Sequence, residues 1–163
     1  MVTYYSKILH ASWRGSAVAG GVPWLWPLLG ILHVIGMALL VGCIGAIDLR
    51  TLGLARGLPL RPLNDLLPWA LAGFAINLMS GLAIYAGNPE GYQSGAFFFK
   101  MVCLLLAGLN GLLFYSSGFN RELSAVGPGE DAPLAAKLTA VASLVLWVAV
   151  IFWGRMLTFF SSF

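Results

Sequence analysis

Four polar side chains interrupt long apolar stretches, and all four are of types that lipid makes costly: His33, Asn77, Lys100 and Arg155. An imidazole nitrogen can hold a metal, an ammonium or guanidinium can neutralise an anion, and an amide can orient a neighbour. Counted from the ends of their apolar stretches at ~1.5 Å per residue, all four fall within roughly 6 to 12 Å of one membrane boundary. Shared depth makes them one layer. His33 has Gly30 and Gly36 about one turn to either side, and Asn77 has Gly73 and Gly81 in the same relation. Such bare helix surface admits a flat group, and it also lets helices pack backbone to backbone.

Ionisable groups inside a membrane are functional candidates by default. An imidazole accompanied by two cations suits haem b, whose iron takes a nitrogen ligand and whose two propionates take Lys or Arg. The candidate set is then His33 as axial metal ligand, Lys100 and Arg155 near the propionates, and Asn77, Gly30, Gly36, Gly73 and Gly81 around the ring. His10, Met37, Met79 or no residue at all could be the second axial ligand. More ordinary roles stay open for each. His33 could bond a carbonyl on the fourth span, Lys100 and Arg155 could reach lipid phosphates, Asn77 and Asn110 could bond between helices, and both Met could pack in a core.

The elements that must position this layer follow from composition. Of 163 residues 60% are hydrophobic and 9% charged, with a mean hydropathy of +0.88, whereas a soluble domain carries roughly 25% charged residues. Lipid offers backbone groups no water, so a chain of this kind forms a helical bundle or a closed barrel. The apolar runs are too long and too unalternating for barrel strands. We therefore expect an all-α integral membrane four-helix bundle, one domain over 1–163, with spans at 27–47, 66–85, 96–115 and 138–160. Trp24, Trp26 and Pro27 open the first span, and Asp48 and Arg50 close it. Residues 3–14 read as a short interfacial helix, with Tyr4, Tyr5, Ile8, Leu9 and Trp13 on one side and Lys7 and Arg14 toward water.

Loop cations suggest an orientation. Arg50, Arg56, Arg61, Arg121 and Lys137 fall on one side, Lys7 and Arg14 on the other, so the positive-inside rule predicts a bacterial inner-membrane protein with both termini periplasmic. The net charge of +3 is thus topology information, with no basic patch for nucleic acid. Cys43 and Cys103 come out roughly 13 Å apart in depth at ~1.5 Å per residue, beyond disulfide reach, and read as packing residues. Asp48, Arg50 and Asp65 are expected to form an ion pair that fixes the first loop. GxSxG, HExxH and GxxxxGK are absent, so no hydrolase triad, zinc protease or phosphate loop is indicated, and catalysis is left open.

Three stretches, LHVIGMALLVGCIGAIDLRTLGL from Leu32, LLPWALAGFAINLMSGLAIYAGNP from Leu66 and FFFKMVCLLLAGLN from Phe97, resemble a bacterial family of four-helix membrane proteins of unknown function. The order of a His in LHxxG, a charged DLR stop and a third-span FxxK carries the likeness, from Trp24 to Tyr115. More distantly, a first-span His and third-span Lys are similar to the haem-dependent membrane protoporphyrinogen oxidases and the copper-resistance protein D group. The former resemblance implies a haem b site marked by His33 and Lys100. A further His near the end of the third span, usual in that oxidase family, is replaced here by LLFYSS with Phe114 and Tyr115. The expected role is electron transfer or support of a larger membrane oxidoreductase, with membrane lipids and either that oxidoreductase or further copies of the chain as partners. The alternatives are a non-redox interaction or scaffold subunit and a copper-handling membrane protein.

Overall fold

In the computed structural model the described residues are Val22, 24–87, 89–116, 126, 127 and 129–160. The expected interfacial helix at 3–14, His10 and Arg121 lie outside them. The described chain is an all-α four-helix bundle: α1 (Leu25–Thr51), α2 (Leu67–Gly87), α3 (Gly95–Ser116) and α4 (Leu134–Phe160). Short 3₁₀ turns at Arg61–Leu66 and Pro89–Tyr92 lead into α2 and α3. Each helix carries a stretch long and apolar enough to cross a membrane. With 21 to 27 residues the helices measure roughly 31 to 41 Å, against ~30 Å of hydrocarbon.

The distribution of side-chain size fits lipid on the outside. Small residues occupy the contacts, with Gly36, Ala70, Gly73, Ala107, Ala136 and Ala140 all buried. Large ones such as Ile31, Val34, Leu105, Leu112 and Val148 face outward. In water that arrangement would be unfavourable, but in lipid, where tails are as apolar as leucine, association depends on close packing of small surfaces. Two tight pairs result, α1 with α2 and α3 with α4, joined mainly where α1 meets α4. At one end the rings of Tyr85, Tyr92 and Phe97 close the α2–α3 connection, Tyr85 stacked on Phe97 at 5.5 Å. Cys43 and Cys103 are both free and pack against one core cluster around Leu40, Ala107 and Trp147.

Two helices run four residues past an expected boundary, α1 to Thr51 and α4 from Leu134, each for a local reason. α1 continues through Asp48 and Arg50 because both are buried inside the bundle. It ends in a Schellman motif, with Leu54 N–H donating to Leu49 O at 3.0 Å and Gly53 N–H to Arg50 O at 3.0 Å. Gly53 sits at φ +102°, where a side chain would be strained. α4 begins at Leu134, directly after Pro133, and Lys137 in its first turn pairs with Asp131 at 2.9 Å.

The first loop is pinned, though by other partners than the expected ion pair. Arg50, 2% exposed, donates to backbone carbonyls: Nε to Leu58 O at 2.6 Å, and Nη2 to Arg56 O at 3.3 Å and Gly127 O at 3.4 Å. Arg56 meets Asp131 at 3.4 Å, so the loops after α1 and α3 are tied together. Asp65 is exposed. Carbonyls do the work because Arg50 reaches the turn from inside, where the loop offers backbone oxygens.

Hydrogen bonding from Lys137, then the Arg56 charge, holds the Asp131 carboxyl below its ordinary 3.8. A depressed carboxylate pKa stabilises the fold above the unfolded value and loses that contribution as pH falls through the folded one. The melting temperature of Asp131→Asn is therefore expected to lie slightly below that of the parent at pH 7, the gap closing below about pH 3.8. A gap that persisted under acid would show that the carboxylate charge is not its source.

Candidate functional site

At the end of the bundle where α1 starts, His33 turns toward α2. Its Nδ1 lies 3.0 Å from the Asn77 carbonyl oxygen and 3.2 Å from Ser80 Oγ. A carbonyl can only accept, so in the neutral ring Nδ1 carries the hydrogen. The Ser80 hydroxyl is itself spent on Ile76 O at 2.6 Å, which leaves its oxygen lone pairs toward the imidazole. The consequence falls on the other nitrogen: Nε2 keeps a bare lone pair, with no hydrogen bond among the described residues. Asn77 answers from α2, its Nδ2 donating to His33 O at 2.8 Å. The two residues bracket one helix crossing.

The four glycines have three different surroundings. A Cβ on Gly36 would lie 2.7 Å from Asn77 N and 2.8 Å from Gly73 O, and one on Gly73 2.7 Å from Leu40 N and 2.8 Å from Gly36 O. Their space is thus filled by the facing backbone and is closed to a ligand. At Gly81 a Cβ would meet His33 Cε1 at 3.0 Å, so this glycine accommodates the imidazole. Gly30 alone of the four has nothing within 4 Å. The helix surface at Gly30, one turn from His33, is therefore open.

The cations come from the other helix pair. Lys100 is half-buried, its Cε and Nζ 3.8 Å from where a Cβ on Gly154 would stand. Phe99 stacks on Trp153 at 4.9 Å beside it. Arg155 follows Gly154 directly and is exposed. Of the Met residues, Met79 is 68% exposed and two positions from Asn77, which turns it away from the His33 contact. Met37 lies one turn along the same helix as His33 and is half-buried.

Among the described residues no three His, Cys, Asp or Glu come together to hold a bare metal ion. A haem asks less of the protein, since its macrocycle provides four nitrogens and one axial imidazole suffices. Ser80, which supports the histidine, escaped the sequence reading, although its place one turn from Asn77 in α2 was visible. Asn110 donates to Thr139 O at 3.1 Å, linking α3 to α4. Comparison of the chain with family models, with curated proteins and with solved structures finds no match to any of them.

Proposed function

We propose that the protein binds haem b at the His33 end of the bundle and serves electron transfer, alone or within a larger membrane oxidoreductase. The observation that carries this reading is the Nδ1–H of His33 held on the Asn77 carbonyl at 3.0 Å. Ligating histidines commonly donate their second ring nitrogen to a carbonyl, which fixes the tautomer and presents the other nitrogen to the metal. Open space at Gly30 and the half-buried Lys100 ammonium support the same reading. Bound haem would supply one-electron chemistry. The chain's own part is to orient the imidazole, exclude water with apolar helix faces and place cations for the propionates. The more distant resemblance of a first-span His and a third-span Lys to the haem-dependent oxidases points the same way.

Absorption spectra of detergent-purified protein, oxidised and reduced, with pyridine haemochrome analysis, test the proposal. A Soret band shifting on reduction is expected; its absence from protein made in haem-replete cells would sink it. A second reading is favoured by the reciprocal bonds between His33 and Asn77. These pin α1 to α2, as a non-redox interaction subunit would need, and that protein would purify colourless. Copper handling has less support, because Met79 faces away and Met37 is the one soft partner near His33.

In this proposal Lys100 meets a propionate. Lys100→Met would leave an anion unpaired in low dielectric at roughly 3 to 5 kcal/mol, so haem affinity should fall at least 100-fold. Lys100→Arg should also bind more weakly, since a planar fork does not replace a compact ammonium. Unchanged haem affinity and reduction potential in Lys100→Met would instead mark the lysine as a lipid anchor. We place both termini in the periplasm of a bacterial inner membrane, on the loop cations Arg50, Arg56, Arg61, Arg121 and Lys137. A C-terminal alkaline phosphatase fusion is then active, and an inactive one beside a working cytoplasmic reporter would reverse the assignment.

A further inference from the structure

The opposite end of the bundle holds a second polar site that owes nothing to His33. α1, α3 and α4 line a partly open cavity of about 40 Å³. A single water needs roughly 10 to 15 Å³ of such room, so the space admits a particle of that size. Its oxygen-bearing lining consists of Asp48, Asn110, Tyr115, Thr139 and Ser143, and the remaining walls are apolar, from Ile44, Ile47 and Phe114. Asp48 is 8% exposed, and its Oδ2 is buried without a hydrogen-bond partner. No cation pairs with it among the described residues, because Arg50, two positions on, is turned to the loop carbonyls.

A carboxylate with one oxygen buried and unpartnered is costly and calls for a neutralising partner. The cavity offers the surroundings for one. Asn110 has committed Nδ2 to Thr139 O, so its carbonyl oxygen is what it has left to offer. The Thr139 hydroxyl donates to Ala136 O at 2.8 Å and keeps its lone pairs. Ser143 faces the Asp48 carboxyl from α4, and Tyr115 contributes a phenol from α3. All of these donors are hard oxygens, and only one formal negative charge is among them. Divalent cations are held in cages with more carboxylates, and soft metals want sulfur or imidazole. We propose that Asp48, with Ser143 and Asn110, forms a binding site for a small monovalent cation, Na⁺, between α1, α3 and α4.

The test uses full-length protein in detergent, melted in rising NaCl with ionic strength held constant by choline chloride. A ligand that binds only the folded state raises the melting temperature with its concentration. The parent should show that rise. Asp48→Asn should abolish it, and Ser143→Ala, which keeps the charge, should shift the Na⁺ midpoint about tenfold upward, the equivalent of one lost contact. A melting temperature identical in Na⁺ and choline, as a permanently protonated Asp48 would give, overturns the proposal. So does an equal Na⁺ response in Asp48→Asn. If that variant does not fold, Ser143→Ala carries the test by itself, and an unmoved midpoint there is equally fatal.

Discussion

His33→Ala is expected to yield a folded four-helix protein that has lost its haem. The fold should survive because the bond that crosses from α2 to this position ends on the main chain: Asn77 Nδ2 donates to His33 O at 2.8 Å, and alanine keeps that oxygen. What disappears is the imidazole, and with it the bare Nε2. Ser80→Ala should be intermediate. It removes one of the two oxygens around Nδ1 while the Asn77 carbonyl at 3.0 Å remains, and loss of an orienting partner typically costs 10- to 100-fold in metal affinity. Helicity by circular dichroism and haem stoichiometry, measured on the same samples, decide the matter. Full haem retention by His33→Ala would remove the axial assignment altogether, whatever the spectrum of the parent.

Gly36→Ala and Gly73→Ala are expected to be the most damaging one-carbon additions in the described bundle. Their new Cβ atoms would sit 2.7 to 2.8 Å from main-chain atoms, where ordinary contact begins at 3.4 Å, so the helices must part by about 0.7 Å. Main-chain atoms cannot rotate aside as a side chain can. Overpacking of this kind costs about 1 to 3 kcal/mol, and separation also stretches both His33–Asn77 hydrogen bonds. Gly30→Ala is the contrasting variant. Its Cβ meets nothing within 4 Å, and exchange of Gly for Ala inside a helix is favourable by roughly 0.5 to 1 kcal/mol. It should therefore melt no lower than the parent, yet bind haem less well if the ring approaches along that flank. Equal melting temperatures for Gly36→Ala and Gly30→Ala would mean that the crossing is looser than the structure has it.

The sequence by itself determined the number of helices and their approximate ends, and gave each polar residue an expected depth. Lipid leaves a backbone no partner but itself, so every long apolar run had to become a helix, and a fixed rise per residue converts position into depth. On those grounds the sequence expects His33, Asn77, Lys100 and Arg155 in one layer, and the structure brings His33 to Asn77 and Lys100 to Gly154. What the sequence left open was the rotation of each helix about its axis. In water an amphipathic stripe reveals the buried face, but lipid and protein interior are equally apolar, and α1 has hardly any such stripe. Only the tertiary structure decided that Gly36 and Gly73 face each other while Gly30 stays open, and that Ser80 sits under His33. The same holds at the other end. Asp48 and Arg50 look like one ion pair along the chain, but two residues apart on a helix is more than half a turn. That rotation sends the arginine to the loop carbonyls and the aspartate into the cavity facing α4.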